Sequence, residues 1–116
     1  MKVMNKYELA NQPYGTAFYN MDKYGNIDTG LRILVSDTFL SLDNEPMFNG
    51  VLDLEPDTGI EDDCKIGDEK ELSDLNWWDD SSADYDDDAM FLVLTKREAL
   101  EIIKLANDLI EGRKRL

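Results

Sequence analysis

Between residues 80 and 88 oxygen-bearing side chains fall at every second position: Asp80, Ser82, Asp84, Asp86 and Asp88. Alternation of this kind is how a calcium loop presents its ligands, but such a loop also needs glycine at its sixth position and glutamate at its twelfth. Here Tyr85 and Phe91 occupy those places, and the other frame, starting at Asp57, puts Gly59 where a carboxylate belongs. The spacing therefore predicts no calcium loop and names no metal ligand, and a looser, weak cation site in the cluster is left open. Paired carboxylates could in principle cleave glycosides, but any two acids meet that requirement, and a short chain leaves little room for a substrate cleft. With no histidine and one cysteine, Cys64, nucleophile–imidazole pairs and multi-thiolate zinc sites are excluded. The seven glycines form neither GxGxxG nor GxxxxGKS. The expectation is a protein that is not an enzyme and takes no cofactor.

What remains is the placement of the acids. Residues 53–88 hold sixteen of the 26 acidic side chains and only two lysines, Lys65 and Lys70, a net −14. The other eighty residues carry ten acids and ten bases and are neutral. The whole net charge of −14 lies in this one stretch, an acidic insert in a neutral scaffold. Such a charge opposes binding to nucleic acid or to an anionic membrane and favours a basic partner.

Fourteen charges match about 24 Å of duplex DNA, which carries about one charge per 1.7 Å. A compact domain of this length has a radius of gyration of about 13 Å. Folded onto one of its faces, these acids approach the charge density of a duplex. Stretched at about 3.3 Å per residue, the segment spans roughly 120 Å and is too dilute. Imitation of nucleic acid thus requires a folded insert, and Ile60, Ile66, Leu72, Leu75, Trp77, Trp78 and Tyr85 supply apolar side chains for folding. The candidate partner-binding residues are Glu61, Asp62, Asp63, Asp79, Asp80, Asp84, Asp86, Asp87 and Asp88, with Trp77 and Trp78 as apolar anchors or as core. In an extended chain Asp84, Asp86 and Asp88 line one side, about 6.6 Å apart. The bland reading is a solvated acidic loop.

The elements that must position these groups are read from pattern. Thr16–Met21, Leu31–Ser36, Thr38–Leu42 and Phe48–Leu54 read as strands, separated by turns at Asp22–Asn26 and Asp43–Pro46. Residues 67–75 read as a short helical turn. Ala89–Leu94 has no polar residue and reads as a central strand buried on both faces. Thr95-Lys-Arg-Glu98 is a capping box. Ala99, Ile102, Ile103, Ala106, Leu109 and Ile110 then recur at helical spacing up to Gly112. The prediction is an α+β domain over 1–116: a small antiparallel sheet of about four to five strands with a well-buried C-terminal helix packed on one face. No apolar run is long enough to span a membrane, and MKVMNKYELAN lacks the apolar stretch of a signal peptide, so a soluble cytoplasmic protein is expected. The oligomeric state is left open.

The stretch YELANQPYGTAFYN (7–20), the ending AMFLVLTKREALEIIKLANDLIEG (89–112) and the acidic cluster resemble short bacteriophage-encoded proteins. The charge layout is similar to that of phage inhibitors of host defence, the anti-CRISPR and anti-restriction proteins, several of which imitate nucleic acid. That resemblance implies a non-catalytic inhibitor that blocks the DNA- or RNA-binding groove of a basic protein. An immunity-type inhibitor of a basic toxin, or a phage assembly protein with a solubilising loop, fits the same composition.

Overall fold

The computed structural model describes residues 1–36, 38–48, 50–57, 65–69, 71, 76–79 and 85–115. Its elements are β1 (Lys2–Met4), α1 (Lys6–Ala10), β2 (Ala17–Met21), β3 (Arg32–Leu34), β4 (Thr38–Leu40), β5 (Pro46–Phe48), β6 (Val51–Asp57), β7 (Asn76–Asp79), β8 (Met90–Val93) and α2 (Lys96–Ile110). Six strands form one antiparallel sheet in the order β1-β8-β2-β3-β6-β7, and β4 and β5 make a separate hairpin. The α+β class, the antiparallel sheet and the C-terminal helix agree with the sequence. The extra strands are β1, only three residues long, β5, which starts at Pro46 and divides the expected 48–54 strand between itself and β6, and β7, which lies inside the acidic insert.

Register explains which side chains meet, because directly paired residues share a face. Phe18 pairs with Val93 and Leu34 with Val51, and all four are buried together with Phe91. Leu9 of α1 and Phe48 of β5 complete this core, so one face of the sheet is covered by α1 and the β4–β5 hairpin. The Phe18 and Phe91 rings meet edge to face at 5.8 Å. On the opposite face Val3 pairs with Leu92, Leu92 with Tyr19, Met90 with Met21, and Ile33 with Leu52. Those residues are half-buried, except Val3, which is exposed. Strand β8 is therefore central but not buried on both faces as its composition suggested: Phe91 and Val93 point into the core, Met90 and Leu92 away from it.

Turn chemistry supports the sequence reading at two places. The Asp22 carboxylate accepts hydrogen bonds from the amides of Tyr24 and Asn26, each at 2.9 Å, and Gly25 takes φ +85°. The backbone bonds to Asn26, ahead of the others, hold the Asp22 carboxyl below its usual range. In the β4–β5 hairpin Asn44 adopts φ 59°, a left-handed conformation that asparagine tolerates better than most residues. In the insert, Lys65–Asp68 is a turn with Gly67 at φ +100° and an Asp68 N–H···O=C Lys65 bond of 3.0 Å. A tight turn thus stands where a helical start was expected, and residues 72–75 lie outside the described residues. Strand β6 runs past the expected end at Leu54, through Pro56 to Asp57, with a register shift after Leu52. Proline is tolerated at such an irregularity.

The packing of α2 is the main correction. Its capping box is formed as the sequence predicts, with the Thr95 hydroxyl accepting from the Glu98 amide at 3.1 Å. Yet none of its residues is buried; Leu100, Ile103 and Ile110 are 54%, 53% and 85% exposed. A 3.6-residue apolar period shows that a helix has a face to bury, not what will bury it. The helix that packs on the sheet is the short α1. The radius of gyration, 16.4 Å, accordingly exceeds the value of about 13 Å for a compact domain of this length.

Candidate functional site: the acidic insert and its clamps

Among the described residues, scaffold cations form an ion pair with the insert where it leaves the fold and another where it returns. At the entry Arg32 on β3 stands opposite Asp53 on β6 in register, and its guanidinium lies 3.3 Å from the carboxylate. At the exit the ammonium of Lys6, on α1, lies 2.8 Å from Asp87 and 2.5 Å from Glu45. Lys6 also donates to the carbonyl of Tyr85 at 2.9 Å. Three acceptors match the three N–H donors of an ammonium group, which is how a lysine side chain only 3% exposed is satisfied. The hydroxyl of Tyr7 stands 3.3 Å from Glu45 and 3.4 Å from Asp87, completing a four-residue cluster.

These contacts set the protonation of the cluster. The hydrogen bonds that Lys6 donates to Asp87 and then to Glu45 raise its pKa well above the usual lysine range, outweighing desolvation. The reciprocal bond and charge of Lys6 hold the Asp87 carboxyl below its ordinary value. Desolvation first, then the charge of Asp87, raises the Tyr7 phenol. Lysine is thus a fixed cation here, with no tendency to act as a base or nucleophile.

Aromatic packing holds the same exit. Tyr85 meets Phe48 at 5.2 Å and Phe91 at 4.9 Å, both edge to face. From this anchor residues 86–88 turn outward, closed by an Ala89 N–H···O=C Asp86 bond of 3.0 Å. Asp86, Asp87 and Asp88 are exposed. They form a turn, not the extended row with about 6.6 Å spacing expected from the alternation. Asp87 is engaged by Lys6, so Asp86 and Asp88 are the two acids of this turn that project on a fixed base.

Between the clamps β6 and β7 pair with each other, Leu52 opposite Trp78 and Val51 opposite Asp79. This places the backbone of Trp77, Trp78 and Asp79 on the edge strand of the sheet. Glu61, Asp62, Asp63, Asp80 and Asp84 lie outside the described residues.

Sequence reasoning missed Lys6, Glu45 and Tyr7. A signal for Lys6 was present: Asn5-x-x-Glu8 is a second capping box, formed with the Asn5 side chain accepting from the Glu8 amide at 2.8 Å. Once α1 is recognised, Lys6 falls on the face of Leu9, and a lysine on an apolar face needs carboxylate partners.

Among the described residues no three His, Cys, Asp or Glu side chains gather as a metal site would require. The groove bounded by residues 12–17 and 94–96, about 400 Å³, is lined by no carboxylate. No helix among the described residues is long and apolar enough to cross a membrane. No protein-family model, no curated protein and no solved structure matches the chain.

Proposed function

We propose that the protein is a non-catalytic inhibitor that binds a basic nucleic-acid-handling protein, a CRISPR effector or a restriction enzyme in kind, and occludes its DNA- or RNA-binding groove. The observation that carries this reading is the clamped insert. The stretch with all of the net charge of −14 is tied to the scaffold at Arg32–Asp53 and Lys6–Asp87 and is paired through β6 and β7. Clamped ends favour a carboxylate array at duplex-like density over a dilute tail. The exposed Asp86 and Asp88 beside Asp87 lie on the part of that array whose backbone is fixed by the core. Such an array presents negative potential to a basic groove and speeds encounter. The site of action on this reading is the cytoplasm of a bacterial host.

The test is capture from a bacterial lysate on the immobilised chain at low and at high salt, followed by elution with duplex DNA. Retention of nucleic-acid-binding proteins at low salt and their release by the duplex is the expected result. Retention that neither salt nor duplex reverses points to a toxin- or enzyme-neutralising role and removes the mimicry reading.

A further inference from the structure

The β4–β5 hairpin and the acidic turn at 85–89 are held down by the same side chains. Among the described residues the hairpin is a two-stranded sheet of its own, unpaired with the six-stranded one, and two strands alone are marginally stable in water. It therefore depends on docking. Its docking points are the buried Phe48, whose ring meets Tyr85 at 5.2 Å, and Glu45, which binds Lys6 at 2.5 Å and Tyr7 at 3.3 Å. The turn uses the other side of each contact. Its holds are the Tyr85 ring, the Tyr85 carbonyl on Lys6 at 2.9 Å, and Asp87 on Lys6 at 2.8 Å and on Tyr7 at 3.4 Å. Lys6 and Tyr7 are adjacent on α1, which Leu9 fixes in the core.

Lifting the hairpin removes one of the three acceptors of Lys6 and one of the two rings packed on Tyr85. Lifting the turn removes the other two acceptors and an aromatic neighbour of Phe48. A buried donor left unpaired is costly, so the departure of either element already loosens what holds the other. The main sheet closes beneath both. At the feet of the hairpin the Val35 amide donates to the Gly50 carbonyl at 3.0 Å, and directly after the turn Met90 pairs with Met21. We propose that the hairpin and the acidic turn open and close as one local unit, a latch centred on Lys6 that governs which carboxylates the turn presents. Closed, Asp87 is bound to Lys6 while Asp86 and Asp88 project; open, Asp87 is released as well and all three lose their fixed base. What steadies the hairpin tip at 41–45 then steadies the acids, and what holds the acids protects the hairpin, because coupling between two sites is reciprocal. The latch does not depend on which partner the acids meet.

The experiment is native-state hydrogen exchange of the full chain, read amide by amide by NMR where exchange follows the opening equilibrium. The Ser41 amide, bonded to the Glu45 carbonyl at 2.8 Å, reports the hairpin, and the Ala89 amide, bonded to the Asp86 carbonyl at 3.0 Å, reports the turn. The Leu34 and Leu94 amides, bonded to the Thr16 and Ala17 carbonyls, report the sheet. In the wild type Ser41 and Ala89 are expected to share one protection factor, lower than that of Leu34 and Leu94. Glu45→Gln alters only the hairpin side and Asp87→Asn only the turn side. Each is nevertheless expected to speed exchange at both Ser41 and Ala89 about tenfold, as the loss of one charge-assisted hydrogen bond does. Circular dichroism confirms that each variant is folded, and Phe48→Leu replaces Glu45→Gln where it is not. A variant that speeds only the amide on its own side overturns the proposal. So do four amides with one common protection factor, since the whole chain then opens together.

Discussion

Tyr85→Phe is the substitution that most sharply separates packing from hydrogen bonding at the exit of the acidic insert. The Tyr85 ring bridges Phe48 at 5.2 Å and Phe91 at 4.9 Å, while its hydroxyl is buried with no hydrogen-bond partner among the described residues. Phenylalanine keeps both edge-to-face contacts and removes a polar atom whose burial costs about 1–3 kcal/mol when unpaired. A net gain of about 1 kcal/mol is expected. With an unfolding entropy of about 2.1 cal/mol/K per residue, that gain raises Tm by about 4 °C in a chain of this length. Tyr85→Ala, in contrast, loses both ring contacts and leaves a cavity, at a cost of about 3–5 kcal/mol, which lowers Tm by roughly 12–20 °C. Thermal unfolding followed by circular dichroism reads both. Were Tyr85→Phe to lower Tm by several degrees, the hydroxyl would have to hold a stabilising bond, and the account of this anchor would be refuted.

The two acids flanking Asp87 separate binding from folding. Asp86→Asn with Asp88→Asn is expected to leave Tm unchanged and to weaken a captured partner by roughly twofold to thirtyfold, at about 0.2–1 kcal/mol per exposed pair. Asp87→Asn removes a partner of the buried Lys6, so it is expected to lower Tm; an unchanged melt would dissociate Asp87 from the clamp. In α2, Ile110→Ala is expected to move monomer stability by less than about 0.5 kcal/mol, whereas Phe91→Ala in the core costs about 3–5 kcal/mol, and equal effects on dilute chains would contradict the exposure of α2. Acid titration tests two of the three depressed carboxylates, Glu98 and Asp87. The Met1 ammonium and then the Thr95 amide hold Glu98 down to about 2, and Lys6 holds Asp87 below its usual range. Their folded pKa values lie below the unfolded ones, so their stabilisation is present above the ordinary carboxylate pKa and is lost as pH falls below it, for Glu98 down to about 2. Glu98→Gln and Asp87→Asn should each flatten the acid limb. Lys6 is shifted the opposite way, so its contribution is intact below the ordinary lysine pKa and lost only in strong alkali.

Legibility in the sequence followed the range of the interactions. The Thr95–Glu98 box, the Asp22–Asn26 turn and the apolar run 89–94 are local signals, and each marks the element that forms there. The helix α1 was missed because five residues are too few to show a period, although its Asn5–Glu8 box is as local as the other. The Lys6 cluster was out of reach because its partners come from residues 45, 85 and 87, brought together only by the β4–β5 hairpin and the packing of Tyr85. The same long-range closure changed the reading of Asp87 from one of several interchangeable acids to a clamp. For α2 the pattern specified an apolar face correctly and its burial within the chain incorrectly, since amphipathicity does not name the surface that covers it.

The central claim is that the insert occupies a groove meant for nucleic acid. Its most direct test is fluorescence anisotropy of a labelled duplex bound to a basic protein captured by the chain, titrated with the chain at low and at high salt. The account predicts that anisotropy falls to that of the free duplex, with a midpoint that moves to higher chain concentration as salt rises and for Asp86→Asn with Asp88→Asn. A titration in which the duplex stays bound while the chain also binds would contradict it.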